Sequence, residues 1–94
     1  MSTFFMFGNY CDESLQTMST DRTEKSVQLL QDMGGKVVAM YALLGEHDLV
    51  IIVDLPDIEQ AIRASVALAK MSGIAFSTAP AITVAEFDKL LEAV

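Results

Sequence analysis

A chain of 94 residues is one domain's worth of polypeptide, large enough for a single core and near the size at which core area only just offsets chain entropy. Its 13 Asp and Glu outnumber 6 Lys and Arg, leaving a net charge of −7, which excludes the basic patch that nucleic acid or an anionic membrane surface requires. Apolar residues are 52% of the chain, high for so small and surface-rich a domain, and that excess points toward self-association.

Cys11 is the one cysteine, so an internal disulfide is excluded and a reducing compartment fits. The N-terminus lacks a positively charged region, and its apolar run, Phe4 to Phe7, is shorter than the ~7–15 residues of a leader core. No segment approaches the ~20 apolar residues of a membrane span. A soluble cytoplasmic protein is the expectation.

Thr3 to Tyr10, rich in aromatics and apolar on both faces, predicts a first strand in the middle of a sheet, with Gly8 marking a bulge or the close approach of another group. Cys11 to Thr20 is polar and without period, long for a strand-to-helix connection, and reads as a lid or binding loop. A first helix is expected from Asp21, with Asp21-Arg22-Thr23-Glu24 as a capping box, Val27, Leu29, Leu30 and Met33 as its buried stripe, and Gly34-Gly35 as its left-handed stop.

Lys36 to Leu44 and Leu49 to Asp54 are two apolar, β-branched runs around Gly45-Glu46-His47-Asp48, the pattern of a β-hairpin. Neither run alternates, so both faces of the hairpin need cover. Asp57 then caps a second helix running to Ser72, with Ile58, Ala61, Ile62, Ser65, Val66 and Ala69 on its buried face and Gly73 ending it. Ile74 to Ile82 forms a weaker strand, and Pro80 assigns it to an edge. Thr83-Val84-Ala85-Glu86 caps a short last helix carrying Val84, Phe87, Leu90, Leu91 and Val94 on one side.

The order strand, helix, strand, strand, helix, strand, with a terminal helix, is the split β-α-β of α+β ferredoxin-like folds, filling residues 1–94 as a single domain. Right-handed crossovers place the first and third strands in the middle of a four-stranded antiparallel sheet. Both main helices cover one face. The other, about 19 by 20 Å and so on the order of 400 Å², is left for a partner. Pairing two such faces removes ~800 Å², worth at most ~20 kcal/mol at ~25 cal/mol/Å², against an association cost of roughly 4–15 kcal/mol. A homodimer packed sheet to sheet, or a higher homo-oligomer, is the expectation.

Gly45-Glu46-His47-Asp48-Leu49, after Tyr41-Ala42-Leu43-Leu44 and before a strand ending in Asp54-Leu55-Pro56-Asp57, resembles the GYD domain family of small prokaryotic proteins. Asn9-Tyr10, Arg22, Gly34-Gly35 and Ala85-Glu86-Phe87 extend the resemblance along essentially the whole chain. The tyrosine of the family's motif is His47 here, and a similar Gly-x-x-Asp turn occurs in the effector-binding domains of leucine-responsive transcription regulators. The resemblance implies a dimeric α/β barrel and no particular activity.

Few residues carry distinctive chemistry. His47 lies between Glu46 and Asp48, but successive extended residues point to opposite sides, which argues against a shared metal. Cys11 has no basic neighbour in sequence to activate it, and Arg22 is either an anion clamp near a helix start or an exposed helix residue. No glycine-rich phosphate loop, Cys/His metal spacing or nucleophile elbow is present, so neither cofactor nor metal is expected. The leading expectation is a homo-oligomeric module holding a small apolar ligand between sheet and helices, with Asn9, Tyr10, Tyr41 and His47 as polar contacts. The alternatives are a cofactor-independent oxygenase-like enzyme using Asn9 and His47 as polarising groups, and an assembly protein without a ligand.

Overall fold

A computed structural model describes all 94 residues, Met1–Val94. The elements are β1 (Ser2–Asn9), α1 (Asp12–Gln16), α2 (Thr20–Asp32), β2 (Lys36–Ala42), β3 (Leu49–Leu55), α3 (Ile58–Ser72), β4 (Ala75–Ala81) and α4 (Val84–Glu92). The strands form one antiparallel sheet in the order β2-β3-β1-β4. The two apolar central strands are therefore β1 and β3, as expected, and Pro80 does lie on an edge strand. The fold is α+β and ferredoxin-like.

The core lies between the sheet and α2 and α3. Phe4, Met6, Ile51, Val53 and Leu55 from the central strands meet Leu30 of α2 and Ala61, Ala64 and Leu68 of α3, all nearly inaccessible. Cross-strand pairing sets which residues share a face, since directly opposed residues point the same way. The rows Val37–Val53–Phe4–Pro80 and Met40–Ile51–Met6–Thr78 face the helices; Tyr41–Val50–Phe7–Ser77 and Ala39–Ile52–Phe5–Ala79 face away.

Three local expectations change. The Cys11–Thr20 stretch is not a structureless lid: Cys11 caps the short helix α1, its sulfur accepting from Ser14 N and its own N–H donating to Ser14 Oγ at 2.7 Å. α2 starts one residue early, and Ser19, not Asp21, is the cap residue. On α3 the buried face is turned by roughly a quarter turn. Ala61, Ala64, Leu68 and Ser72 face the sheet, whereas Ile58, Ile62 and Val66 are 55%, 60% and 51% exposed. Small side chains let the helix lie close to bulky Phe4, Ile51 and Val53, and a helix with apolar residues both at Ile58, Ile62 and Val66 and at Ala61, Ala64 and Leu68 offers periodicity two stripes to choose from.

α4 does not join the core. Its N-cap forms as expected, with Thr83 Oγ1 accepting from Glu86 N, yet every residue of the helix is exposed. The radius of gyration, 14.3 Å, exceeds the ~12 Å of a compact chain this long, and the projecting helix accounts for the difference.

Candidate functional site

The structure presents two distinct surfaces, one on each side of the sheet. On the uncovered side, Phe5, Phe7 and Ile52 form the middle of an apolar face and Val50 is sealed among its neighbours at 6% exposure. Ala39, Ala75, Ala79 and Ala81 surround them at register positions on the same side. At the β4 end this face runs into a groove formed by Thr3, Phe5, Ala81, Ile82, Thr83 and Glu86, so the start of α4 borders it. Val84, Phe87, Leu90, Leu91 and Val94 are all at least half exposed. The sheet face and α4 are thus both left without a covering layer in the single chain.

His47 and Asn9 stand at the other end of that face. The His47 ring stacks on Phe7, centroids 4.9 Å apart. The amide orientation that satisfies Asn9 places Nδ2, with its two N–H donors, 3.2 Å from His47 Nδ1, 3.2 Å from Glu46 O and 3.1 Å from Gly8 O. Asp48 fastens the same loop to β1: its N–H donates to Gly8 O at 2.9 Å and its carboxylate accepts from Tyr10 N at 2.8 Å. Glu46, His47 and Asp48 do not converge, and no group of three or more His, Cys, Asp or Glu is placed to hold a metal ion.

On the helix side, a cleft of about 360 Å³ opens between the sheet and α2. Met40, Leu49, Ile51, Ile74 and Phe76 form its apolar wall; Tyr10, Ser19, Thr20, Arg22, Thr23 and Ser26 form its polar mouth. Gly8 makes room for it to have a floor at all. A Cβ there would stand 2.8 Å from Leu49 Cδ2 and 3.0 Å from Ile74 and Phe76, so the sequence signal at Gly8 reports close approach rather than a bulge.

Arg22 sits between α1 and this cleft. Its Nη1 donates to Ser14 O at 2.6 Å, and its guanidinium carbon lies 5.5 Å from the Tyr10 ring centroid, within cation–π range. Ser14, fully buried, donates in turn to Cys11 O. Hydrogen bonds from Ser14 also hold the exposed Cys11 thiol below its ordinary pKa, an effect of local capping that no basic neighbour in sequence could have signalled.

The four residues singled out from sequence therefore divide. Asn9 and His47 bond to each other on the open face, Tyr10 lines the cleft, and Tyr41 is 59% exposed in the open-face row while also bordering a shallow groove with Tyr10, Thr23, Met40, Ala42 and Leu49. They are not brought together around one ligand. Arg22, given no place among the four, is the polar residue the cleft adds.

A four-stranded antiparallel sheet with helices on one side and the other left open defines the class as an α+β ferredoxin-like domain. Solved structures agree on the fold: the leucine response regulatory protein LrpA of Mycobacterium tuberculosis matches with a TM-score of 0.62 at 12% identity over 87% of this chain. An AsnC family transcriptional regulator from Agrobacterium tumefaciens matches with a TM-score of 0.58 at 20% identity over 86% of this chain. The chain spans about half of each, 51% and 50%. More particularly, the GYD domain family model matches residues 4–91, and the chain belongs to that family. A relative from Thermus thermophilus, named glutamine synthetase and cystathionine beta-lyase binding protein, is 34% identical over 89 residues, covering 92% of this chain and 94% of that protein.

Proposed function

We propose that the chain is a homodimeric binding module of the dimeric α/β-barrel type, working in the cytoplasm, in which two copies pair through their open sheet faces and exchange contacts through α4. The observation that carries this reading is the half-buried Phe5–Phe7–Ile52 face of the sheet, covered by neither main helix, beside an α4 whose apolar residues are all exposed. Two sheet faces alone bury ~800 Å², below the ~1,000–1,200 Å² of a specific interface. A nine-residue helix, ~13 Å long and ~10 Å across, laid on the partner from each side brings the total to the order of 1,300 Å². The same contact explains how so short a helix persists, because helices under ~12 residues are marginal in water without tertiary cover.

In this arrangement the helix side stays outward. There the Ile58, Ile62 and Val66 stripe borders an apolar groove of about 260 Å³ floored by Phe4, Phe76 and Pro80. The relative's name specifies two enzymes as partners; by that likeness a metabolic enzyme is the protein partner of this module, seated on the α3 stripe, and the cleft beside α2 holds a small, mainly apolar ligand. The paired Asn9 and His47 fasten a loop in this reading, with no step in a reaction.

Native mass spectrometry of a Phe7→Asp variant tests the pairing. A charge in the middle of each open face should disperse the dimer to single chains of 10.2 kDa with an unchanged circular dichroism spectrum. A variant that stays dimeric would contradict the proposed interface.

A further inference from the structure

We infer that the cleft between the sheet and α2 selects a small carboxylate with a short hydrocarbon tail, Arg22 receiving the carboxylate and Met40, Ile51, Ile74 and Phe76 enclosing the tail. This rests on reading the cleft as a ligand site and adds the chemical class of the ligand. Twelve residues line the cleft; seven are hydrophobic, one is a cation and none is an acid. That distribution is notable in a chain with more than twice as many acids as bases. Asp21 and Glu24 flank Arg22 in sequence but do not line the cleft.

Arg22 retains donors for a ligand. A guanidinium carries five N–H groups, and the protein's hydrogen bond to it is a single one, from Nη1 to the Ser14 carbonyl. Tyr10 holds the guanidinium plane by its ring face at 5.5 Å, which fixes the fork in position and leaves its other edge for a bidentate carboxylate. Thr20 and Thr23 line the same mouth. Lys25 shares the adjoining groove with Arg22, adding a second positive charge nearby. The chain's overall negative charge does not oppose this, because exposed charges beyond a Debye length of ~8–10 Å are screened while the guanidinium acts at contact.

The volume sets the size. At about 360 Å³ the cleft is at the low end of the ~300–1,000 Å³ range of ligand sites, a size that suits a short acyl chain.

The test compares hexanoate, 1-hexanol and hexylammonium, one tail with three heads, by NMR titration of the whole chain. Hexanoate should bind at least tenfold more tightly than the alcohol, the ammonium should bind least, and shifts should centre on Arg22, Tyr10 and Ile74. Thr23→Trp, an exposed position at the mouth, should abolish binding of hexanoate and alcohol alike. Arg22→Gln should erase the preference for hexanoate over the alcohol. Because Arg22 also tethers α1, Arg22→Lys serves as the folded control that keeps the charge and loses the fork, with a reduced preference expected. Alcohol and carboxylate binding equally would overturn the carboxylate assignment and leave the cleft a ligand site. No binding of any of the three would overturn the ligand site itself.

Discussion

Single side chains hold the segment between β1 and α2, and each makes a distinguishable prediction. Cys11 caps α1 through Ser14, whose hydrogen bonds favour the thiolate and lower the thiol's pKa. Because the shift is downward, the pH profile of iodoacetamide alkylation at Cys11 should have its midpoint below that of an unstructured cysteine peptide. Ser14→Ala should move that midpoint back up; coincident profiles for the protein and the peptide would remove the effect. Asp48 joins the β2–β3 loop to β1 by a charge-assisted bond to Tyr10 N, so Asp48→Ala should cost ~1–3 kcal/mol in urea unfolding. Glycines 8 and 35 are conformationally ordinary but sterically required. A Cβ at Gly35 would lie 2.8 Å from Leu30 O and 2.7 Å from Leu55 Cδ2, whereas at Gly8 it meets side chains alone. Gly8→Ala should cost ~1–3 kcal/mol of overpacking, and Gly35→Ala more, since a backbone oxygen gives way less readily than a methyl group.

At the scale of elements, capping and strand patterning are legible in the sequence and helix orientation is not. Asp57 caps α3 by accepting from Gln60 N at 2.8 Å, and Gly73 ends it at φ 74°, both readable from residue type because the chemistry is local. Asp57→Ala should accordingly cost about 1 kcal/mol, measurable as a lowered melting temperature. Periodicity misplaces the α3 face because large apolar residues at Ile58, Ile62 and Val66 match the helical period as well as Ala61, Ala64 and Leu68 do. The shape of the opposing sheet chooses between them, and that is a tertiary fact absent from any one segment. Ser19 stands at the N-cap position of α2 in place of Asp21 without a side-chain capping bond, so the capping residue type there gives no usable signal. The candidate cleft is legible in outline, through Tyr10 and the expected space between sheet and helices. Its composition is not, because Arg22 comes from α2, Met40 from β2, Phe76 from β4 and Ile74 from the linker before β4.

At the scale of the molecule, one surface-chemistry problem organises the rest. Phe5, Phe7 and Ile52, half-buried on the open side of the sheet, and Phe87, Leu90 and Leu91, exposed on α4, are apolar groups that no further layer of the single chain covers. Phe87→Asp should leave the sheet and core intact, because α4 lies outside the core, and on the proposed pairing it should weaken self-association. Ile62→Asp, on the outward side of α3, should leave the oligomeric state unchanged and weaken docking of a protein partner. Sedimentation equilibrium of the unaltered chain over a micromolar concentration series tests pairing most directly. The account predicts a molar mass twice the 10.2 kDa of one chain, or a further even multiple; folded, soluble single chains throughout that range would contradict it.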